Sequence, residues 1–211
     1  MNSYIKDPDE IYKKSFEIIF SEVNLDGLDD LEKKLVTRII HSCGDTSIID
    51  DIVISKNAIN AGLKAIESDC KVLVDSKMVQ AGVIKKNIPT NKVECFLDNK
   101  NASKIVKEYK TTRSAAAIDL WKEYLTSSIL IIGNAPTALF RLIELIKENN
   151  FKPSLIIATP LGFVGAIESK EELINLHNST GLNIITLRGR RGGSAMACAA
   201  INAIGLMNKN E

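Results

Sequence analysis

The sequence predicts an α/β fold, a three-layer α/β/α single domain over residues 1–211 with a largely parallel sheet and an N-terminal helical segment. Three observations point there. Five short β-type runs recur along the chain, and the central ones are continuously apolar, as strands covered on both faces must be. Helical stretches with apolar residues three or four apart lie between them, so strand and helix alternate. The 211 residues are 45% hydrophobic and 25% charged, enough to fill one core and too apolar for a disordered chain.

Asp7-Pro8-Asp9-Glu10 opens a first helix, with proline tolerated in the first turn and acid there favoured by the helix dipole. Ile11, Phe16, Ile18, Ile19 and Val23 give it one face to bury, and Asn24-Leu25-Asp26-Gly27 breaks it. Leu28, Leu31, Leu35 and Ile39 mark a second helix, ending near His41-Ser42-Cys43-Gly44, where glycine supplies a left-handed cap. A third covers 55–68, with Ile59, Leu63 and Ile66 as its stripe. The β-type runs follow at 71–75, 93–97, 128–132, 154–158 and 183–187. Between them fall a helix over 136–147, one opened by Ser169-Lys170-Glu171-Glu172 as a capping box, and one over 192–207.

Lys and Arg total 27 against 26 Asp and Glu, so the overall charge gives no footprint for nucleic acid, and any anion site must be local. The longest apolar runs, such as Ile129-Leu130-Ile131-Ile132, are far too short to span a bilayer, and the segment 1–8 holds no apolar signal core. The expectation is a cytoplasmic protein with no nucleic-acid or membrane partner. Cys43, Cys70, Cys95 and Cys198 form no C-x-x-C pair, which argues against a zinc knuckle, a dithiol motif or any metal ligand of the protein's own. Reduced, mostly buried thiols suit them. Cys43 alone lies near possible chemistry, two residues from His41, and residues that close usually point in different directions.

Ligands of parallel sheets bind beyond the carboxyl ends of the strands. Three predicted strand exits are unusual here: Gly133-Asn134-Ala135-Pro136-Thr137-Ala138-Leu139, Thr159-Pro160-Leu161-Gly162-Phe163-Val164-Gly165, and Arg188-Gly189-Arg190-Arg191-Gly192-Gly193-Ser194-Ala195. Glycine lets the backbone approach a ligand, free N–H groups at a helix start attract anions, and three arginines add a carboxylate or phosphate clamp. The last loop fits neither a dinucleotide fingerprint nor a Walker loop. Turn chemistry or a solvated basic surface explains any one loop alone; three on one edge favour a ligand. Of the two histidines, His177 reads as a cation near a helix end. Composition alone gives His41 the same helix-terminal role more readily than a catalytic one. Thr111-Thr112-Arg113-Ser114-Ala115-Ala116-Ala117 reads as a helix start with close packing beside one fixed positive charge.

Together these stretches resemble the precorrin-8X methylmutases, a corrinoid-pathway family with a cobalt-precorrin-8 form. The matching pieces are Ser15-Phe16, Arg38-Ile39-Ile40-His41-Ser42-Cys43-Gly44-Asp45, Asp75-Ser76-Lys77-Met78-Val79 with Gly82, and Thr112 to Ala117. They continue through Gly133-Asn134-Ala135-Pro136-Thr137-Ala138, Gly162-Phe163-Val164, Glu168-Ser169-Lys170 and Gly189-Arg190-Arg191-Gly192-Gly193-Ser194-Ala195, covering nearly the whole chain in the family's order. Leu161 stands where valine is the family's residue, a conservative departure.

The resemblance implies an isomerase that moves a methyl group from ring carbon 11 to ring carbon 12 of (cobalt-)precorrin-8, giving cobyrinic or hydrogenobyrinic acid in cobalamin biosynthesis. It implies no cofactor, a substrate either metal-free or itself carrying cobalt, and a homodimer that holds the macrocycle between subunits. The abundance of Ile, Lys and Asn leans toward the cobalt form. The family's catalytic histidine falls on His41, as a proton donor to the macrocycle; imidazole, with an ordinary pKa of about 6.5, suits that role. A corrinoid is a wide apolar disc edged with carboxylates. Met78, Phe163 and Val164 then make walls, Arg113 and Arg190 hold the rim, and Ser15 and Asn134 add neutral hydrogen bonds. Two other readings stay open: a non-catalytic tetrapyrrole-binding or carrier protein, and a nucleotide- or phosphate-ester-using α/β enzyme with the arginine loop as its phosphate site.

Overall fold

A computed structural model describes residues 4–88 and 93–209. Among these residues six strands form one sheet: β1 (Ile52–Ile54), β2 (Val72–Val74), β3 (Val93–Glu94), β4 (Ile129–Ile132), β5 (Leu155–Ala158) and β6 (Ile184–Leu187). They lie in the order β1-β6-β5-β4-β2-β3, all parallel except β1, which runs antiparallel along the edge of β6. The central strands are apolar at every position because each face meets helices. Val74, Ile131, Ile157 and Ile185 align across the sheet on one face, and Leu73, Leu130, Ile156 and Ile184 on the other.

The first face packs against α1 (Pro8–Glu22), α2 (Asp30–Cys43), α3 (Ala58–Glu67), α4 (Lys77–Gly82) and α9 (Ser194–Met207). The second carries α6 (Arg113–Asp119), α7 (Pro136–Asn149) and α8 (Ala166–Thr180), with α5 (Lys100–Tyr109) resting on α6 through Ala102, Ala116 and Ala117. The expected three-layer α/β/α arrangement is therefore present. Caps follow the sequence closely. Asp7 caps α1 ahead of Pro8, Asp29 and Glu32 form a reciprocal capping box on α2, and Gly44 closes α2 in the left-handed conformation. Among the described residues, no helix is long and apolar enough to cross a membrane.

Four features depart from the sequence expectation. Strand β1 has no counterpart among the expected runs, because three half-buried residues after a 3₁₀ turn carry no readable period. Helices α4 and α5 are likewise short additions. Helix α8 begins at Ala166 behind Gly165, so Ser169 lies inside the helix, its hydroxyl donating to the Ala166 carbonyl rather than capping. On α1 only Ile19 is fully buried, and Ile11 and Ile18 face outward, since α2 covers a single stripe of that helix. Of the N-terminal segment discussed above, residues 1–3 lie outside the described residues.

Candidate active site at the carboxyl edge of the sheet

The order of the sheet reverses between β2 and β4, since β2 pairs with β3 on one side and β4 on the other. Such a switch point opens a crevice above the strand ends. Here it is closed by a side chain. Asp75, immediately after β2 and buried, accepts the backbone N–H of Gly133 on one oxygen (3.0 Å) and those of Asn134 and Ala135 on the other (2.9 Å each). Burial pushes the Asp75 carboxyl above its ordinary value, and the three N–H groups oppose that shift. The anion nest at the start of α7 therefore holds a carboxylate of the chain itself, and Asn134 is fixed at the rim with its side chain exposed.

Two further exits, after β5 and β6, are bolted to each other. Gly162 N–H donates to the Arg190 carbonyl (3.2 Å), Gly193 N–H to the Thr159 carbonyl (2.7 Å), and the Thr159 hydroxyl to the Gly193 carbonyl (3.1 Å). Gly192 allows this approach, because a Cβ there would lie 2.3 Å from the Thr159 carbonyl oxygen. The paired loops present Phe163 and Val164, 85% and 89% exposed, and set the Arg190 guanidinium 5.5 Å from the centre of the Phe163 ring.

The three arginines of the last loop separate into different jobs. Arg188 places Nη1 on both oxygens of Glu171 (2.6 and 2.5 Å). Arg191 reaches Asp45 (2.6 Å), the Ser47 hydroxyl (2.7 Å) and Asp51 (2.7 Å). The bonds from Ser47 and then Arg191 hold the Asp45 carboxyl below its ordinary value. Arg190 forms no ion pair among the described residues. The expected three-arginine clamp is thus one guanidinium on display and two exposed guanidinia tied into ion pairs.

The Arg191 ties also locate His41. Asp45 follows α2 directly and Arg191 shortly precedes α9, so the end of α2 stands beside the start of α9 on the carboxyl edge. His41 lies exposed in the last turn of α2, its ring edge-on to Tyr12 (5.3 Å between centres) and Phe16 (5.7 Å) of α1. Cys43 turns away, its thiol toward the Ile40 and Asp45 carbonyls. Ser15, partly buried between Tyr12 and Phe16 in the α1 sequence, donates its hydroxyl to the Ile11 carbonyl (2.8 Å), which leaves its oxygen able to accept.

On the far side, Met78 of α4 follows β2 and is 73% exposed. Arg113 begins α6, where Thr112 caps the helix and its hydroxyl meets that of Thr137 at the start of α7 (2.8 Å). Its guanidinium is occupied, Nε on the Leu97 carbonyl (2.9 Å) and Nη2 on Asp98. His177, at the far end of α8, meets the Leu182 carbonyl through Nδ1 (2.6 Å), in keeping with its structural reading. Thus Met78, Arg113, Asn134, Phe163, Val164, Arg190 and His41 share one edge, and Ser15 belongs to the helix packed on His41. Sequence reasoning gave no role to Tyr12, four residues before Phe16 on the same stripe, or to Asp75, a lone carboxylate closing an apolar strand. Among the described residues no three His, Cys, Asp or Glu side chains come together as a metal site.

The family model of precorrin-8X methylmutase matches residues 10–207. The chain is 44% identical to a precorrin-8X methylmutase of Pseudomonas aeruginosa, over 97% of this chain and 98% of that one. It is 36% identical to a cobalt-precorrin-8 methylmutase of Methanocaldococcus jannaschii, over 100% and 99%. The fold superposes on a crystal structure of precorrin-8X methylmutase from Thermus thermophilus with a TM-score of 0.84 and 31% identity, covering 96% and 97% of the two chains. Sequence, fold and the crowded carboxyl edge agree, and the chain belongs to the precorrin-8X methylmutase family.

Proposed function

We propose that this chain, as one catalytic unit over residues 1–211, rearranges a precorrin-8 macrocycle by moving the methyl group of ring carbon 11 to ring carbon 12, with His41 as proton donor. The family's reaction is the methyl shift that converts precorrin-8X to hydrogenobyrinic acid in cobalamin biosynthesis, and the chain is an isomerase. The observation that carries the residue assignment is that His41 and the Arg190–Phe163 corner occupy one edge, linked through Arg191 and Asp45. The protonated imidazole donates to the macrocycle and draws electron density through the conjugated ring, so the methyl group moves with its bonding pair from carbon 11 to carbon 12 while ring π electrons shift to carbon 11. Nothing is added overall, and the proton returns to the imidazole before the next cycle. A placed acid of this kind contributes about 10²–10⁴ in rate.

The walls are Met78, Phe163 and Val164, and the rim is Arg113, Arg190, Ser15 and Asn134. Exposed apolar side chains at this density gain from a cover, and a second copy over the same edge supplies one; a cytoplasmic homodimer is the assembly we propose. No cofactor enters the reaction. The phosphate reading is disfavoured because Asp75 already fills the nest at α7, and Arg188 and Arg191 are held by Glu171, Asp45 and Asp51. Conversion of precorrin-8, followed by absorbance as the corrin chromophore forms, tests the assignment. A carrier binds the macrocycle and leaves it unchanged; turnover excludes that reading.

A further inference from the structure

Lys170 is fully buried on α8, where a charged ammonium is costly unless something is gained by it. Its acceptor among the described residues is the Arg191 carbonyl, at 2.7 Å. The adjacent Arg190 carbonyl is held from the opposite loop by Gly162 N–H. The carbonyls of Arg190 and Arg191 are therefore both pinned, the first from the loop that carries Phe163 and the second from α8. Around the ammonium the charged groups are Asp51 and Glu171, whose carboxylates are in turn held by Arg191 and Arg188. This network holds the backbone at and just after Arg190, the one arginine of this loop with no ion pair among the described residues.

We propose that Lys170 is a positioning residue for substrate binding: by fixing the Arg191 carbonyl it aims the Arg190 guanidinium, over the Phe163 ring, at a carboxylate on the rim of the macrocycle. This rests on the reading of Arg190 as a rim contact. Lys170 itself does not touch the ligand. Removing its ammonium lets the 188–193 loop relax, and Arg190 samples orientations that do not meet the carboxylate, so affinity falls while the proton donor on α2 is untouched.

The test is a double-mutant cycle read by absorbance titration of hydrogenobyrinic acid into the full chain. Arg190→Ala weakens binding by about 12- to 150-fold, the range for losing a hydrogen bond to a charged group. Lys170→Met, close in volume and without charge, weakens it by at least about threefold while the rate of a single bound turnover stays within about twofold. In the Arg190→Ala background Lys170→Met adds nothing further. A purely structural lysine moves both backgrounds alike, and that additive result overturns the proposal. So does unchanged affinity in Lys170→Met when Arg190→Ala binds weakly. If Arg190→Ala binds as wild type, the rim reading of Arg190 falls, and this inference with it. Should Lys170→Met fail to fold, Lys170→Gln, whose shorter amide stops short of the Arg191 carbonyl, takes its place in the same cycle.

Discussion

Replacing His41 by asparagine separates catalysis from helix termination. Asparagine hydrogen-bonds but donates no proton at neutral pH, so the variant keeps a polar side chain and loses the acid. The structural loss can be worked from the contacts. His41 is exposed, ends α2, and meets two rings edge-on at 5.3 and 5.7 Å. A helix-terminal cation is worth about 0.3–1 kcal/mol, and exposed ring pairs contribute about 0.5 kcal/mol each, the low end of their range. The total is about 1–2 kcal/mol, a fall of a few degrees in Tm for a chain of this size. The catalytic loss is larger: about 10²–10⁴ in rate is about 3–5 kcal/mol of barrier. Product affinity stays near wild type, because walls and rim act in the ground state and the acid chiefly in the transition state. Thermal melting, titration with hydrogenobyrinic acid and single-turnover absorbance on the same protein read the three quantities. Turnover near the wild-type rate in a folded His41→Asn refutes the assignment.

Four further outcomes are expected. Asp75→Asn leaves one buried N–H of the three facing an amide and weakens the other two bonds, costing about 2–4 kcal/mol in chemical denaturation; a loss under about 0.5 kcal/mol contradicts the nest. Arg113→Ala weakens product binding by about 1 kcal/mol, less than the ~1.5–3 kcal/mol of a hydrogen bond to a charged group, because an exposed Asp98 already occupies the guanidinium and must be displaced; unchanged affinity by titration removes Arg113 from the rim. Light scattering at micromolar concentration gives about twice the monomer mass, and a monomer with full turnover argues against a shared site. Burial pushes the Lys170 ammonium down to about 8, against about 10.4 for free lysine. Between those values the folded chain binds fewer protons than the unfolded one, so unfolding free energy rises with pH, whereas below about 8 both states are charged and the cost is complete. Wild type therefore gains stability relative to Lys170→Met from pH 7 to pH 10, with Asp51 and Glu171 the carboxylates that face the ammonium; a flat difference in denaturation midpoints contradicts it.

What the sequence determined by itself was local or periodic. Four-residue apolar runs such as Ile129-Leu130-Ile131-Ile132 fix buried parallel strands because both faces must be covered, and caps such as Asp29 with Glu32, or Gly44, act within a few residues of the helix they start or end. The glycine- and arginine-rich strand exits located the edge that carries the site, since parallel strands deliver their exits to one side. The family resemblance named His41, which composition alone left as a helix end. Tertiary structure decided what depends on residues distant in the chain. Strand β1 exists because β6 offers an edge, and three residues encode too little to form it alone. Arg188, Arg190 and Arg191 are alike in sequence; they differ because Glu171 lies 17 residues from one and Asp45 146 from another, and only folding brings those carboxylates within reach. Asp75 meets Gly133 across 58 residues and Lys170 meets Arg191 across 21 for the same reason. A hydrogen bond or ion pair between distant residues leaves no period in the sequence, so its partner is chosen by the packing of strands and helices that bring the two ends together.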